Sequence, residues 1–126
     1  MTMPIAFRGQ IVFPDRIERG AILVREGRIT DVLDAGATLP AEATIVDAGD
    51  GYLSPGFVEL HCHGGDGGDF MDGTDESFRH ALQAHARHGT TRMAITTTVA
   101  RHDQILATLE LTRQFRRTPE PNGSRV

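Results

Sequence analysis

The first fifty residues alternate between short β-prone runs and turn-forming residues, which predicts strands joined by tight turns. The predicted strands are 5–13, 21–25, 28–33 and 44–47. The second and third of these runs are separated only by Glu26-Gly27, and a two-residue loop ending in glycine is typical of a β-hairpin. Gly49-Asp50-Gly51 is expected to end the last strand. We therefore predict a small β-domain over residues 1–53.

The pattern changes from Pro55 onward to strand, helix, strand, helix. The predicted elements are a strand at 57–63, a helix at 75–88, a strand at 90–99, a helix at 102–117 and the start of a further strand at 124–126. Two successive βα units predict a parallel sheet with right-handed crossovers. Because two parallel strands cannot bury both faces, residues 54–126 are expected to be an α/β architecture that is incomplete in this chain.

Both helices carry recognisable signals. Thr74 is the expected N-cap of the first helix, and Gly89 is expected just beyond its end. Phe78, Ala81, Leu82 and His85 would form its buried stripe. Ile105, Leu106 and Leu109 are expected to form the buried stripe of the second helix. Thr96-Thr97-Thr98, between the helices, is explained by the β propensity of threonine.

Composition narrows the possible functions. The chain is 39% hydrophobic and 24% charged, with a formal charge of −4 and a pI of about 5.8. No basic field is available for a nucleic-acid backbone or an anionic membrane. The single cysteine excludes an internal disulfide framework. With no signal-peptide pattern and no long apolar run, we expect a soluble cytoplasmic protein.

The strongest candidate for chemistry is the pair His61 and His63, at the end of the predicted strand 57–63. Side chains alternate along a strand, so both imidazoles share a face while Cys62 points away. Two imidazoles so placed can converge on one cation. With 6 histidines in 126 residues, a chance His-x-His occurs roughly 0.3 times per chain, so the tripeptide alone is a weak motif. Its position before a glycine loop, at the carboxyl end of a parallel strand, strengthens the interpretation.

Other polar residues have simpler explanations. His80, His85 and His88 lie on the first predicted helix, where surface or packing roles are favoured over metal binding. Cys62 is expected to be a small buried residue rather than a nucleophile. Asp66 and Asp69 are expected to shape the glycine loop, with contact to a substrate as the alternative.

The segment 52–64 contains Pro-Gly-Phe-Val-Glu-Leu-His-Cys-His-Gly, which resembles the signature that opens the barrel in the amidohydrolase superfamily. The hairpin around Glu26-Gly27 resembles the small β-domain that precedes that barrel. Within the superfamily, the glycine loop 64–74, His88-Gly89-Thr90-Thr91 and the threonine run are most similar to the N-acetylglucosamine-6-phosphate deacetylase family. Residues 122–126 are similar to the approach to the third barrel strand.

The resemblance implies a (β/α)8 TIM barrel preceded by a small β-sandwich-type domain, with the barrel incomplete in this chain. It implies a metal-dependent hydrolase that converts N-acetylglucosamine 6-phosphate into glucosamine 6-phosphate and acetate. The metal ligands carried over are His61 and His63, with zinc as the expected divalent ion and iron or another divalent ion as alternatives. The family's remaining ligands and its acid–base Asp would follow Val126, so no catalytic residue is assigned here.

The resemblance further implies a small amino-sugar phosphate as substrate and a homodimer for the full-length family. We expect the isolated chain to be inactive, because two histidines fall short of the three protein ligands typical of catalytic zinc. Two alternatives remain open. One is another amidohydrolase, such as a cyclic amidohydrolase or a deaminase, with the same opening strand. The other is a non-catalytic domain that binds metal weakly or serves only in assembly.

Overall fold

The computed structural model describes residues 2–126, and the chain forms two compact units, Met1–Pro55 and Gly56–Val126. The strands are β1 Ile5–Val12, β2 Ile17–Arg25, β3 Arg28–Asp34, β4 Thr44–Leu53, β5 Phe57–Cys62, β6 Gly64–Gly65, β7 Gly68–Asp69 and β8 Thr90–Ile95. The helices are α1 Asp75–Arg87 and α2 His102–Arg117, and a short 3-10 turn spans Phe70–Asp72. Neither helix in the described part of the chain is long and apolar enough to cross a membrane.

The first unit is a four-stranded sheet in the order β3-β2-β1-β4. Strands β1, β2 and β3 are antiparallel neighbours, whereas β4 runs parallel to β1. Glu26 and Gly27 join β2 to β3 with φ values of 50° and 73°. Positive φ at both central residues is the mark of a type I′ turn, whose twist matches that of the flanking strands. The predicted hairpin is therefore confirmed.

The prediction that Gly49-Asp50-Gly51 ends the β4 segment is wrong, because β4 continues to Leu53. The register of β4 against β1 shifts between Arg8 and Gln10, and Gly49 takes a φ of 59° at this irregularity. Glycine can adopt this conformation without steric cost, so it forms a bulge and pairing resumes beyond it. The glycines interrupt the ladder without ending the strand.

The second unit is built around the parallel pair β5 and β8, with α1 between them in sequence. Residues 124–126 lie along β8 as the sequence predicted for a further strand. The backbone N–H of Arg125 donates to the Thr91 carbonyl at 2.9 Å, and the N–H of Met93 donates to the Arg125 carbonyl at 2.8 Å. Ser124, which is buried, donates its hydroxyl to the Thr90 carbonyl at 2.7 Å. Parallel pairing therefore extends from β5 through β8 to the last residues.

The hydrophobic core of the second unit is a cluster of buried residues that includes three phenylalanines. Its members are Cys62, Phe70, Phe78, Ala81, Leu82, Met93 and Phe115. Helix α1 buries Phe78, Ala81 and Leu82 as predicted, whereas His85, the fourth member of the predicted stripe, is only half-buried. The Thr74 hydroxyl accepts a hydrogen bond from the backbone N–H of Ser77, which confirms the predicted N-cap.

The buried stripe predicted for α2 is wrong. Leu106 and Leu109 are 52% and 39% exposed, whereas Thr108 and Phe115 are 0% and 2% exposed. The Thr108 hydroxyl lies 3.1 Å from the Phe70 carbonyl and 3.1 Å from the Gln104 carbonyl. A threonine whose hydroxyl is satisfied in this way can face the core, and a pattern that counts only apolar residues misses it.

Strand β5 leaves apolar surface uncovered: Val58 is 59% exposed and Leu60 is 76% exposed. Within residues 2–126, β5 pairs along one edge only. Exposed apolar side chains beside an open strand edge favour association. We therefore expect the purified chain to self-associate in light scattering coupled to size exclusion, and Leu60→Lys to increase the monomer fraction.

Val99 provides the matched control, since it is 99% exposed but lies outside any strand. Val99→Lys should leave the oligomer distribution unchanged. A sharp, concentration-independent monomer peak for the unaltered chain would contradict this expectation.

Candidate metal centre

The two histidines singled out in the sequence converge at the end of β5. His61 lies within the strand and His63 directly follows its last residue. Their Nε2 atoms are 3.1 Å apart, and their ring centroids are 5.0 Å apart. Two nitrogens bound to one tetrahedral zinc at about 2.0–2.1 Å are separated by roughly 3.3–3.4 Å. The pair is therefore close to the geometry needed to chelate a single ion.

The His63 ring is held in one orientation by the backbone of Thr96. Its Nδ1 atom lies 2.8 Å from the Thr96 carbonyl oxygen. Because a carbonyl oxygen only accepts, Nδ1 carries the proton and donates it, which leaves the lone pair on Nε2. A backbone carbonyl is a common partner for the non-ligating nitrogen of a metal-binding histidine. The lone pair of His63 therefore faces the position shared with His61.

Glu59 secures the backbone at the other histidine. Its Oε1 accepts a hydrogen bond from the backbone N–H of His61 at 3.0 Å. Glu59, two residues before His61, lies on the same face of the strand, since side chains alternate. This contact was not anticipated from the sequence, although the acidic residue stands within the segment that resembles the amidohydrolase signature. Glu59 thus supports the end of β5 rather than the imidazole rings.

The glycine stretch after His63 is a hairpin, β6–β7, rather than an open loop. Its turn residues Asp66 and Gly67 both have positive φ. A Cβ on Gly64 would lie 2.1 Å from the Gly68 carbonyl oxygen, so only glycine fits there. The backbone N–H of Phe70 then donates to the His63 carbonyl at 2.8 Å. The chain therefore reverses tightly at the histidine pair.

Asp66 and Asp69 shape this hairpin, as predicted. The Asp66 carboxylate forms an ion pair with Arg87 at 2.6 Å. The Asp69 carboxylate accepts from the backbone N–H of Met71 at 2.8 Å and caps the 3-10 turn. Both carboxylates are engaged in these local contacts.

Cys62 lies in the core, as predicted, with 6% of its surface exposed. Burial raises the pKa of the Cys62 thiol, so the thiol stays protonated at neutral pH and is a poor nucleophile. His85 Nε2 lies 3.3 Å from the Cys62 sulfur and 3.1 Å from the Gly64 carbonyl oxygen. Since that carbonyl only accepts, His85 donates to it and serves a packing role against the hairpin. His80 is exposed on α1.

Residues 2–126 contain no group of three or more His, Cys, Asp or Glu side chains that could hold a metal ion together. His61 and His63 supply two nitrogens, whereas catalytic zinc is typically held by three protein ligands. The described residues thus present two candidate ligands and no third.

The chain has a small β-unit, then parallel βα units, and a His-x-His pair at the end of the first parallel strand. This order is similar to that of the opening part of an amidohydrolase. No family model matches the chain. Its sequence is 28% identical over 104 residues to N-acetylglucosamine-6-phosphate deacetylase from Bacillus subtilis. That alignment covers 82% of this chain and 26% of the relative.

The chain is also similar to solved structures. The chain resembles the N-acetyl-D-glucosamine-6-phosphate deacetylase of Mycobacterium smegmatis, a variant of which was solved with N-acetyl-D-glucosamine-6-phosphate. The TM-score is 0.77 at 27% identity, covering 92% of this chain and 30% of that one. A shorter stretch of 59 residues is 39% identical to allantoinase from Streptomyces avermitilis, covering 47% of this chain and 13% of the relative.

These matches confirm the predicted resemblance to N-acetylglucosamine-6-phosphate deacetylases within the amidohydrolases, and the expected α/β fold with an unclosed barrel. The chain spans about a quarter of the length of the Bacillus subtilis relative.

Proposed function

We propose that His61 and His63 bind one divalent metal ion and that, with ligands from further polypeptide, they form the metal centre of an amide hydrolase. The observation that carries this proposal is the convergence of the two Nε2 atoms, 3.1 Å apart, with the His63 lone pair directed by the Thr96 carbonyl. The pair lies at the carboxyl end of a parallel strand, where α/β barrels place their active sites.

The donor set suits a zinc-class ion, because neutral imidazole is a ligand common to zinc and iron. A divalent ion held there would supply a Lewis acid able to polarise a substrate carbonyl. The contributions of this chain are positional. The two imidazoles would hold the ion, Thr96 fixes the tautomer of His63, and Glu59 holds the backbone of His61.

As substrate we propose N-acetylglucosamine 6-phosphate, whose N-acetyl amide would be hydrolysed to acetate and glucosamine 6-phosphate. Support comes from the extent of the similarity. The deacetylase alignment covers 82% of this chain, whereas the allantoinase alignment covers 47%. A cyclic amide as substrate is the alternative that the assay below distinguishes.

The test uses the product of the whole reading frame that contains these 126 residues, loaded with zinc. We expect acetate release from N-acetylglucosamine 6-phosphate and no turnover of allantoin or hydantoin. His61→Ala should lower kcat/KM by at least about 100-fold, since a Lewis acid contributes several kcal/mol to transition-state stabilisation. The 126-residue chain alone should be inactive for want of a third ligand.

His80→Ala is the matched control, because His80 is an exposed histidine on α1 and not one of the two proposed ligands. Its kcat/KM should equal that of the unaltered protein. Turnover of the cyclic substrates in place of the sugar phosphate would overturn the substrate assignment. Unchanged activity in His61→Ala would overturn the proposed metal centre.

A further inference from the structure

We propose that Thr96 is a positioning residue of this centre, acting through both Cys62 and His63 to direct the His63 lone pair towards His61. The inference rests on the proposed metal-binding function. It concerns the threonine side chain as well as the backbone, and it assigns a role that β propensity does not explain.

Three polar groups of Thr96 contact the end of β5. Its backbone N–H donates to the Cys62 carbonyl at 2.8 Å, and its hydroxyl oxygen accepts from the Cys62 backbone N–H at 3.2 Å. Its carbonyl oxygen accepts from His63 Nδ1 at 2.8 Å. Thr96 thus fixes both peptide groups of Cys62, which link the two histidines, and one of the two imidazole rings.

The side chain is needed because the strand ladder is irregular at this point. Pairing of β5 with β8 shifts register between Glu59 and Cys62, and β8 itself ends at Ile95. The Thr96 hydroxyl supplies the acceptor for the Cys62 N–H, where a regular ladder would supply a carbonyl. Its own proton is directed to the Ala94 carbonyl at 3.3 Å, which leaves its lone pairs for that N–H.

Without the hydroxyl, the Cys62 N–H would lose this acceptor next to a buried side chain. A buried polar group without a partner is unfavourable, so the peptide would rotate to find another. Because Cys62 directly precedes His63, rotation of its backbone would shift the His63 ring relative to the Thr96 carbonyl, and the hydrogen bond to His63 Nδ1 would weaken. The His63 ring would then no longer be confined to one tautomer and one orientation.

The first readout needs no metal. Nitrogen chemical shifts of the imidazole rings report the tautomer, measured at about pH 8.5, well above the usual histidine pKa of about 6.5. In the unaltered chain we expect His63 to be protonated at Nδ1. Thr96→Ser keeps an acceptor and should preserve this state, whereas Thr96→Val, of similar shape, should give a mixture of tautomers.

The second readout is the affinity for Co²⁺ alone. Thr96→Val should weaken binding by about tenfold, at the lower end of the range for groups that orient metal ligands. Thr98→Val is the matched control, since Thr98 is exposed and its side chain forms no hydrogen bond within residues 2–126. It should bind Co²⁺ as the unaltered chain does.

Failure of this inference and failure of the metal site are distinguishable. If His63→Ala abolishes Co²⁺ binding while Thr96→Val changes neither tautomer nor affinity, Thr96 has no positioning role. If the unaltered chain binds no Co²⁺, the metal site fails, and the tautomer comparison still decides whether Thr96 orients the ring. Should Thr96→Val fail to fold, Thr96→Ala removes the hydroxyl with less bulk and carries the same expectation.

Discussion

His61→Ala and His63→Ala are each expected to weaken binding of Co²⁺ or Zn²⁺ to the chain by at least about 100-fold. Four-ligand structural zinc sites bind with roughly 10–16 kcal/mol, or about 3 kcal/mol per ligand, and each 1.4 kcal/mol is tenfold in Kd. The two Nε2 atoms lie 3.1 Å apart, so removal of either leaves a single imidazole in place of a chelate. Isothermal titration calorimetry on both variants and the unaltered chain measures the difference.

One control tests which atoms are responsible. His80→Ala removes an exposed histidine on α1. This change should not lower the affinity by more than about twofold, since a surface histidine on the helix is not part of the proposed chelate. Equal losses in His80→Ala and His61→Ala would mean that the chain binds metal non-specifically, contrary to the proposal.

The face shared by the histidine pair was predictable because strand geometry has only two faces. Alternation placed His61 and His63 together and Cys62 opposite, and the structure has this arrangement. The identity of the pair as metal ligands stays a prediction. The sequence could not indicate that Thr96 orients His63, because Thr90 to Val99 looks like one continuous strand. In the structure β8 ends at Ile95, and the register of β5 against β8 shifts between Glu59 and Cys62. Thr96 forms its hydrogen bonds to Cys62 beyond the end of the regular ladder.

In the fold too, features set by neighbouring residues were predictable from the sequence, and features set by distant residues were not. Local signals identified the Glu26-Gly27 hairpin and the Thr74 cap, because a turn or a cap is determined by a few neighbouring residues. The passage of β4 through Gly49 depends on pairing with a strand some forty residues earlier, which local patterns do not encode. Likewise, Thr108 can face the core because the Phe70 carbonyl, on the 3-10 turn, accepts a hydrogen bond from its hydroxyl. Long-range partners decided these features.

Phe78→Ala should destabilise the second unit by about 3–5 kcal/mol, the usual cost of truncating a buried phenylalanine. Phe78 is fully buried between two other rings. It packs edge-on against Phe70 with centroids 4.9 Å apart, and it stacks on Phe115 at 5.3 Å. Small domains are stable by only about 5–15 kcal/mol, so this loss would leave little margin. Urea unfolding followed by circular dichroism measures the change.

Phe57→Ala is the matched control, since Phe57 is 64% exposed on β5 and should cost far less. A loss as large as that in Phe78→Ala would contradict the assignment of the core. Cys62 belongs to the same cluster as Phe78 and stands between the two histidines. The core therefore fixes the peptide that carries the pair, and Phe78→Ala should also weaken Co²⁺ binding although Phe78 is not a candidate ligand. Unchanged affinity in a destabilised Phe78→Ala chain would show that the pair is held by the hairpin and Thr96 alone.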